Sequence, residues 1–288
     1  MEKMMKNPGF EPSSSKYPDF IYVGTGKVAT TWLFESLKAH PEIFMTPVKE
    51  TNYFDLNYQR GSAWYAKFFE DAEVGQVIGE ISHRYLQVPS AINRIKSDLP
   101  DVKIVIGLRQ PVDYCMSDYL FCVRNGRYSG TFSDWVSDGF DWESLEYKEL
   151  IEPYINEFGI DRIFLYTFDQ IKSEPQKVFD ALCRFLDISK MELTLEQVKP
   201  VNAAAKARNV ALSNIVNRAS KFLKRRGGQK IIAKVKYNAV VQRILFKPIN
   251  EKPPISELER QKIMDVANPN ILWLSDVFHT NLEERWSK

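Results

Sequence analysis

The chain has 288 residues, 44% of them hydrophobic and 13% aromatic, with a formal net charge of +2. That composition excludes a disordered chain and is enough to bury a sizeable core in a single domain. No apolar run reaches the roughly 18 residues of a membrane span, and three cysteines are too few and too odd in number for a disulfide framework, so the expected compartment is the reducing cytoplasm.

Residues 1–16, MEKMMKNPGFEPSSSK, carry charge but no apolar centre, and read as a flexible lead-in rather than a signal peptide. From Pro18 the chain continues PDFIYVGTGKVATTW. Phe20 to Val23 is an apolar run of buried-strand length. Gly24 and Gly26 follow, then Lys27, Thr30 and Thr31, and Trp32, Leu33, Phe34 and Leu37 fall at helical spacing. Strand, glycine turn and helix start form a phosphate site, because the first helical turn leaves N–H groups unpaired and the helix dipole favours an anion there. The P-loop of nucleotidases is not matched: Val28 follows Gly26-Lys27, and Ile21 stands where the first glycine belongs. The dinucleotide pattern fits Gly24, Gly26 and Ala29, yet no strand ending in an acidic residue follows about 20 residues on. A glycine turn without any ligand is the plain alternative.

The helix is expected to end near His40-Pro41, with an irregular stretch from Met45 to Asp55. Trp64, Tyr65, Phe68 and Phe69 suggest a short helix over Tyr58 to Phe69 that packs on the core. Val77, Ile78 and Ile81 predict a second buried strand, leading to Ser82, His83 and Arg84. Pro89 to Ser97 reads as a helix with Pro89 near its first position. Val102 to Leu108 is a strand buried on both faces. Arg109 sits at its carboxyl end, and Pro111 opens a helix carrying Ser117 about two turns in. Ligands of open parallel sheets bind beyond the carboxyl ends of the strands, so Gly24 to Thr31 and Arg109 are expected on one rim.

Gly126 to Trp142 reads as loops. Glu143 to Phe158 is expected to be a helix, kinked at Pro153 and ended by Gly159. Arg162 to Phe168 predicts another parallel strand. A helix then runs from Ser173-Glu174-Pro175 to Leu186, with Val178, Phe179, Leu182 and Phe185 inward. Gln197 to Asn250 holds thirteen Lys and Arg and no acidic residue, against 26 basic and 37 acidic residues elsewhere. This stretch reads as amphipathic helices with a cationic face, broken at Gly227-Gly228. It suits a membrane surface, a groove for an acidic polysaccharide or lipid-linked acceptor, or a helical lid with a solvated face. After Pro253-Pro254, Ser256-x-x-Glu259 is a capping box opening a helix to Ala267. Helix and an apolar anchor follow from Asn270 to Trp286.

KVATTW, followed by HPEIFMTPVKETNYFD, resembles the opening of the sulfotransferases that use 3′-phosphoadenosine 5′-phosphosulfate (PAPS), whose usual loop is close to PKSGTTW. Lys27, Thr30, Thr31 and Trp32 match it, while Val28 and Ala29 replace Ser and Gly. Glu50 before Tyr53-Phe54 is similar to the carbohydrate and heparan-type branch. Arg109-x-Pro111 followed by Ser117 resembles that family's grip on the 3′-phosphate, and Ser117-Asp118-Tyr119 matches the heparan-type branch. The resemblance implies an α/β fold with a P-loop-like central parallel sheet flanked by helices and a helical C-terminal lid. The domain would span 17–288, with 197–252 a basic helical insertion.

The resemblance further implies a cofactor site of Gly26, Lys27, Val28, Ala29, Thr30, Thr31, Trp32, Arg109 and Ser117. PAPS would be the sulfuryl donor and 3′,5′-adenosine bisphosphate (PAP) the product, with no metal. Phe168 would stack on the adenine or serve as a core phenylalanine. Asn202, Lys206 and Arg208 are candidates for a loop closing over the cofactor, Arg208 first because a guanidinium holds phosphate bidentately. Lys27 would neutralise charge on the bridging oxygen. Glu50 is the favoured general base and His83 the second candidate, with His83 and Arg84 lining the acceptor pocket. Ile81 stands where the heparan branch has a lysine. The implied reaction sulfates a hydroxyl or amine of a carbohydrate or glycolipid. Residues 206–247 would contact a membrane or acidic polysaccharide, the enzyme being cytoplasmic or peripheral at a membrane surface, and nucleic acid would be no partner. Three alternatives stay open: a sulfotransferase for a small-molecule or lipid hydroxyl, a non-catalytic nucleotide-binding or membrane-docking module, and a Rossmann-type oxidoreductase.

Overall fold

The computed structural model describes residues 16–198, 205–207, 246–248 and 252–286. These fall into two compact units, one drawn from Met1–Arg109 with Tyr147–Pro200, the other from Gln110–Glu146 with Val201–Lys288.

The first unit is built on a five-stranded sheet: β1 (Phe20–Tyr22), β2 (Ile43–Met45), β3 (Val77–Ile81), β4 (Lys103–Leu108) and β5 (Ile163–Thr167), in the order β2-β3-β1-β4-β5. Every neighbouring pair is parallel, with Ile21 opposite Glu80 on one side and Ile104 on the other. Parallel strands need crossovers, and helices supply most of them: α1 (Thr30–Lys38) follows β1, α3 (Pro89–Asp98) follows β3, and α6 (Tyr147–Phe158) precedes β5. A short helix, α2 (Ser62–Ala66), lies between β2 and β3. After β5 come α7 (Phe168–Ser173), α8 (Pro175–Phe185) and the single turn α9 (Leu195–Val198). Trp32, Leu33, Phe34 and Leu37 of α1 pack in one core with Phe20, Tyr22 and Val105 of the sheet and Val178, Phe179 and Leu182 of α8. Burying each large apolar side chain contributes about 1.5–3 kcal/mol, which holds these helices against the sheet.

Local sequence explains where the elements differ from expectation. Residues 43–45, for which the sequence predicts no strand, form an edge strand that reaches the start of the irregular stretch, because three residues show no periodicity and only pairing with β3 makes them a strand. Residues 53–57 wind as a π-helical turn, and the segment over Tyr58 to Phe69 divides into a 3₁₀ turn (Tyr58–Arg60) and α2. Tyr65 and Phe69 are fully buried, as expected of a core segment. β5 stops one residue before Phe168, since Thr167 and Gln170 form a capping box that starts α7 there. The helix expected from Glu143 begins at Tyr147, after a 3₁₀ turn over Trp142–Leu145. Gly159, at φ 84°, ends it.

The second unit holds α4 (Pro111–Arg124), α5 (Phe132–Asp134), the two-stranded antiparallel pair β6 (Ala205–Ala207) and β7 (Phe246–Pro248), α10 (Glu257–Val277) and α11 (Leu282–Trp286). Gln110 caps α4 by accepting from Asp113 N at 2.8 Å, with Pro111 in its first turn. The Ser256–Glu259 capping box is present at the start of α10. That helix runs through Pro269 instead of stopping at Ala267, because Ile263, Ala267, Ile271 and Leu274 keep one buried stripe on either side of the proline. Leu282 and Trp286 are buried as an apolar anchor. No helix among the described residues is long and apolar enough to cross a membrane.

Candidate active site

The residues singled out in the first unit lie in the segments that follow the carboxyl ends of its parallel strands, the rim where sheets of this kind bind ligands. β1 leads into the turn 24–29, β2 into Lys49 and Glu50, β3 into Ser82 and His83, β4 into Arg109, and β5 into Phe168.

The turn after β1 is held close to β4. Thr25 donates to Gly107 O through both its amide (3.2 Å) and its hydroxyl (3.0 Å), and a Cβ on Gly24 would lie 2.4 Å from Gly107 N. Only glycine allows that approach. Lys27 (φ 65°) and Ala29 (φ 60°, ψ 30°) are left-handed, and Ala29 offers no side-chain cap to α1. The first turn of α1 carries no acidic residue. Left-handed residues alternating with ordinary ones turn successive amides inward as an anion nest. These features fit a phosphate. Val28 is fully buried in the core, and Tyr166 OH donates to its carbonyl at 3.3 Å. The Trp32 side chain is buried too, and Nε1 donates to Gln197 O.

Arg109 lies on this rim as its position in the sequence predicts. Its Nη1 donates to Lys27 O at 3.1 Å, and its guanidinium carbon sits 4.2 Å from the centre of the Phe168 ring. Phe168 is half-buried beside the core, so it faces a cation on one side while packing on the other. Ser117 belongs to α4 of the second unit, half-buried in its second turn. Arg208 and Asn202 lie outside the described residues, as does most of the basic segment 197–252; Lys206 is described only as part of β6.

Glu50 and His83 are brought together. His83 Nδ1 lies 2.7 Å from Glu50 Oε1. An ionised carboxylate only accepts, so with Glu50 charged the donor of this bond is Nδ1–H. The other edge of the imidazole faces the turn, for a Cβ on Gly26 would meet His83 Cδ2 at 3.4 Å and Nε2 at 3.7 Å. Glu50 is left-handed (φ 63°), and its amide donates to Ile81 O at 2.9 Å, tying it to the end of β3. Arg84 points elsewhere, its Nε 2.8 Å from Asp55 Oδ2 with the guanidinium half exposed.

Two features escape sequence reasoning. Lys49, immediately before Glu50, reaches back to α1: its Nζ is 2.9 Å from Thr30 Oγ1 and 3.5 Å from Thr31 Oγ1. The adjacency of a cation to the candidate base was the available signal. The other is Glu80 on β3, fully buried and accepting from Ser82 Oγ (2.6 Å), Tyr85 OH (2.8 Å), Thr51 Oγ1 and Tyr65 OH. Burial pushes its carboxyl above the usual carboxylate range, against the four hydroxyls that favour the charged form. Through Thr51 and Ser82 this cage holds the neighbours of Glu50 and His83. Among the described residues, no group of three or more His, Cys, Asp or Glu side chains could hold a metal ion.

The sulfotransferase domain family model matches residues 17–237, a span that contains the turn, Glu50, His83, Arg109 and Ser117. The chain is 37% identical over 110 residues to the membrane-associated sulfotransferase kil1 of Dictyostelium discoideum, covering 37% of this chain and 23% of that protein. It is 25% identical over 191 residues to heparan sulfate glucosamine 3-O-sulfotransferase 3A1 of Mus musculus, covering 63% of this chain and 48% of that one. The chain thus spans less than half the length of either relative. A solved sulfotransferase from Alicyclobacillus acidocaldarius shares the fold at a TM-score of 0.56 and 22% identity, over 79% of this chain and 99% of that one. The strand-end rim and the match across it agree: this chain belongs to the sulfotransferase domain family.

Proposed function

We propose that this chain is a PAPS-dependent sulfotransferase acting on a hydroxyl or amine of a carbohydrate or glycolipid. The observation that carries the reading is the Glu50–His83 pair, joined at 2.7 Å with the imidazole against Gly26 of the anion turn. A proton acceptor and a phosphate cradle thereby meet at one rim. When bound, PAPS supplies the sulfuryl group, the acceptor oxygen bonding to sulfur as the bond from sulfur to the 5′-phosphate oxygen breaks.

The residues of the chain then take these roles. The amides and hydroxyls of Thr30 and Thr31 hold the 5′ end, and Lys27 neutralises charge growing on the bridging oxygen. Arg109, already oriented by Lys27 O and the Phe168 ring, binds the 3′-phosphate; Ser117 and Arg208 are further candidates for the nucleotide on the strength of the sequence resemblance alone. The Glu50 carboxylate takes the acceptor proton, and His83, donating Nδ1–H into Oε1, fixes its direction. Catalysis of this kind comes mostly from positioning and charge. The heparan sulfate enzymes among the relatives support a carbohydrate acceptor. The run of Lys and Arg over 206–247 in the sequence suits an acidic polysaccharide or a membrane surface.

Two measurements test the reading. PAP should raise the melting temperature of the chain where NAD does not, since the alternative oxidoreductase would respond the other way. Radiolabelled PAPS should then deliver sulfate to members of a glycan and glycolipid panel. Binding of PAP without transfer to any acceptor would overturn the enzyme reading in favour of a non-catalytic module, and transfer only to simple phenols or lipids would overturn the carbohydrate acceptor.

A further inference from the structure

Lys49 and Glu50 are consecutive residues that face different partners. Glu50 turns to His83, while Lys49 Nζ donates to Thr30 Oγ1 at 2.9 Å and reaches Thr31 Oγ1 at 3.5 Å. The left-handed backbone at Glu50 (φ 63°) separates the two side chains. An ammonium group has donors and no acceptor, so each threonine hydroxyl it touches uses an oxygen lone pair and keeps its own O–H for another acceptor. The amides of Thr30, Thr31 and Trp32 also precede the first intrahelical bond, from Leu33 N to Ala29 O at 3.0 Å. Two threonine hydroxyls, a helix start and the Lys49 ammonium therefore gather at one place suited to an anion.

We propose that Lys49 is a donor-site residue: a second cation, beside Lys27, for the 5′-phosphosulfate end of the nucleotide, which also orients the Thr30 and Thr31 hydroxyls as donors to that group. This rests on the PAPS reading above. The loop after β2 then commits one residue to the donor and the next to the acceptor proton, so its backbone sets the spacing between the two halves of the reaction.

The test is calorimetric binding to the full chain of PAP, which carries the 5′-phosphate, and of adenosine 3′-monophosphate, which lacks it. Lys49→Met keeps the length of the side chain and removes the charge. It should weaken PAP binding at least tenfold, leave adenosine 3′-monophosphate within twofold, and lower the salt dependence of PAP binding. Lys49→Arg should recover most of the PAP affinity, and Lys49→Gln guards against a folding defect particular to Met. Equal PAP affinity in Lys49→Met and the parent chain, or an equal loss for both ligands, would overturn the proposal alone. Failure of the parent chain to bind PAP would overturn the donor reading and the proposal with it.

Discussion

His83 Nδ1 and Glu50 Oε1 stand 2.7 Å apart, joining two residues 33 positions apart in the chain that read from sequence as rival bases. In the proposed reaction they become cooperating groups, Glu50 accepting the proton and His83 holding the carboxylate in line. Glu50→Gln should lower kcat by about 10²–10⁴-fold, the range for losing a general base. His83→Asn should cost about tenfold, with PAP affinity unchanged in both, measured by steady-state sulfate transfer and calorimetry. A larger loss in His83→Asn would make His83 the base and Glu50 its orienting carboxylate.

Arg109 is tied both to Lys27 O and to the face of Phe168. Arg109→Ala should abolish measurable transfer and weaken PAP binding at least a hundredfold. Arg109→Lys should recover little of it, because a lysine supplies charge without a planar, stackable fork. Calorimetry with PAP measures both. Near-complete recovery by lysine would show that charge alone matters at this position.

Gly24 leaves no room for a side chain, since a Cβ would sit 2.4 Å from the backbone nitrogen of Gly107. Gly24→Ala must push β1 and β4 apart at the carboxyl rim. A loss of about 1–3 kcal/mol is expected from such overpacking, read by urea unfolding, together with weakened PAP binding because the anion turn hangs on the same two strands. An unchanged unfolding midpoint would contradict the geometry.

Asp98, at the end of α3, is 4% exposed and accepts from Tyr58 OH at 3.1 Å. Burial pushes its carboxyl up to about 6, against the lowering by Tyr58 and Arg94. A raised carboxyl binds its proton more tightly folded than unfolded, so its contribution to stability is greatest at low pH. That contribution is lost as pH rises from about 4 to about 6. Asp98→Asn should flatten the stability profile over that window, and a profile of the same slope in both proteins would refute the assignment.

Much of the fold was legible because burial writes itself into sequence over five or more residues. The runs behind β3, β4 and β5 and the apolar spacing of α1, α3 and α8 predicted elements within a few residues of those seen. Three-residue β2 has no such period, and only its hydrogen bonds to β3 define it. The path of α10 through Pro269 was likewise hidden, because the packing of Ile263, Ala267, Ile271 and Leu274 outweighs the local cost of one proline. Arg208 and most of the basic segment lie outside the described residues, so the roles read for them stand on sequence alone.

By itself the sequence determined the glycine turn, the order of strands and helices around it, and the residue types proposed to face a sulfuryl donor, since these depend on neighbours along the chain. Only the tertiary structure decided that Glu50 and His83 form one pair, that Lys49 turns back to Thr30, and that Arg109 lies on Phe168. Such contacts join the ends of different parallel strands, and the distance between strand ends is set by sheet pairing, which no local spacing of residues encodes.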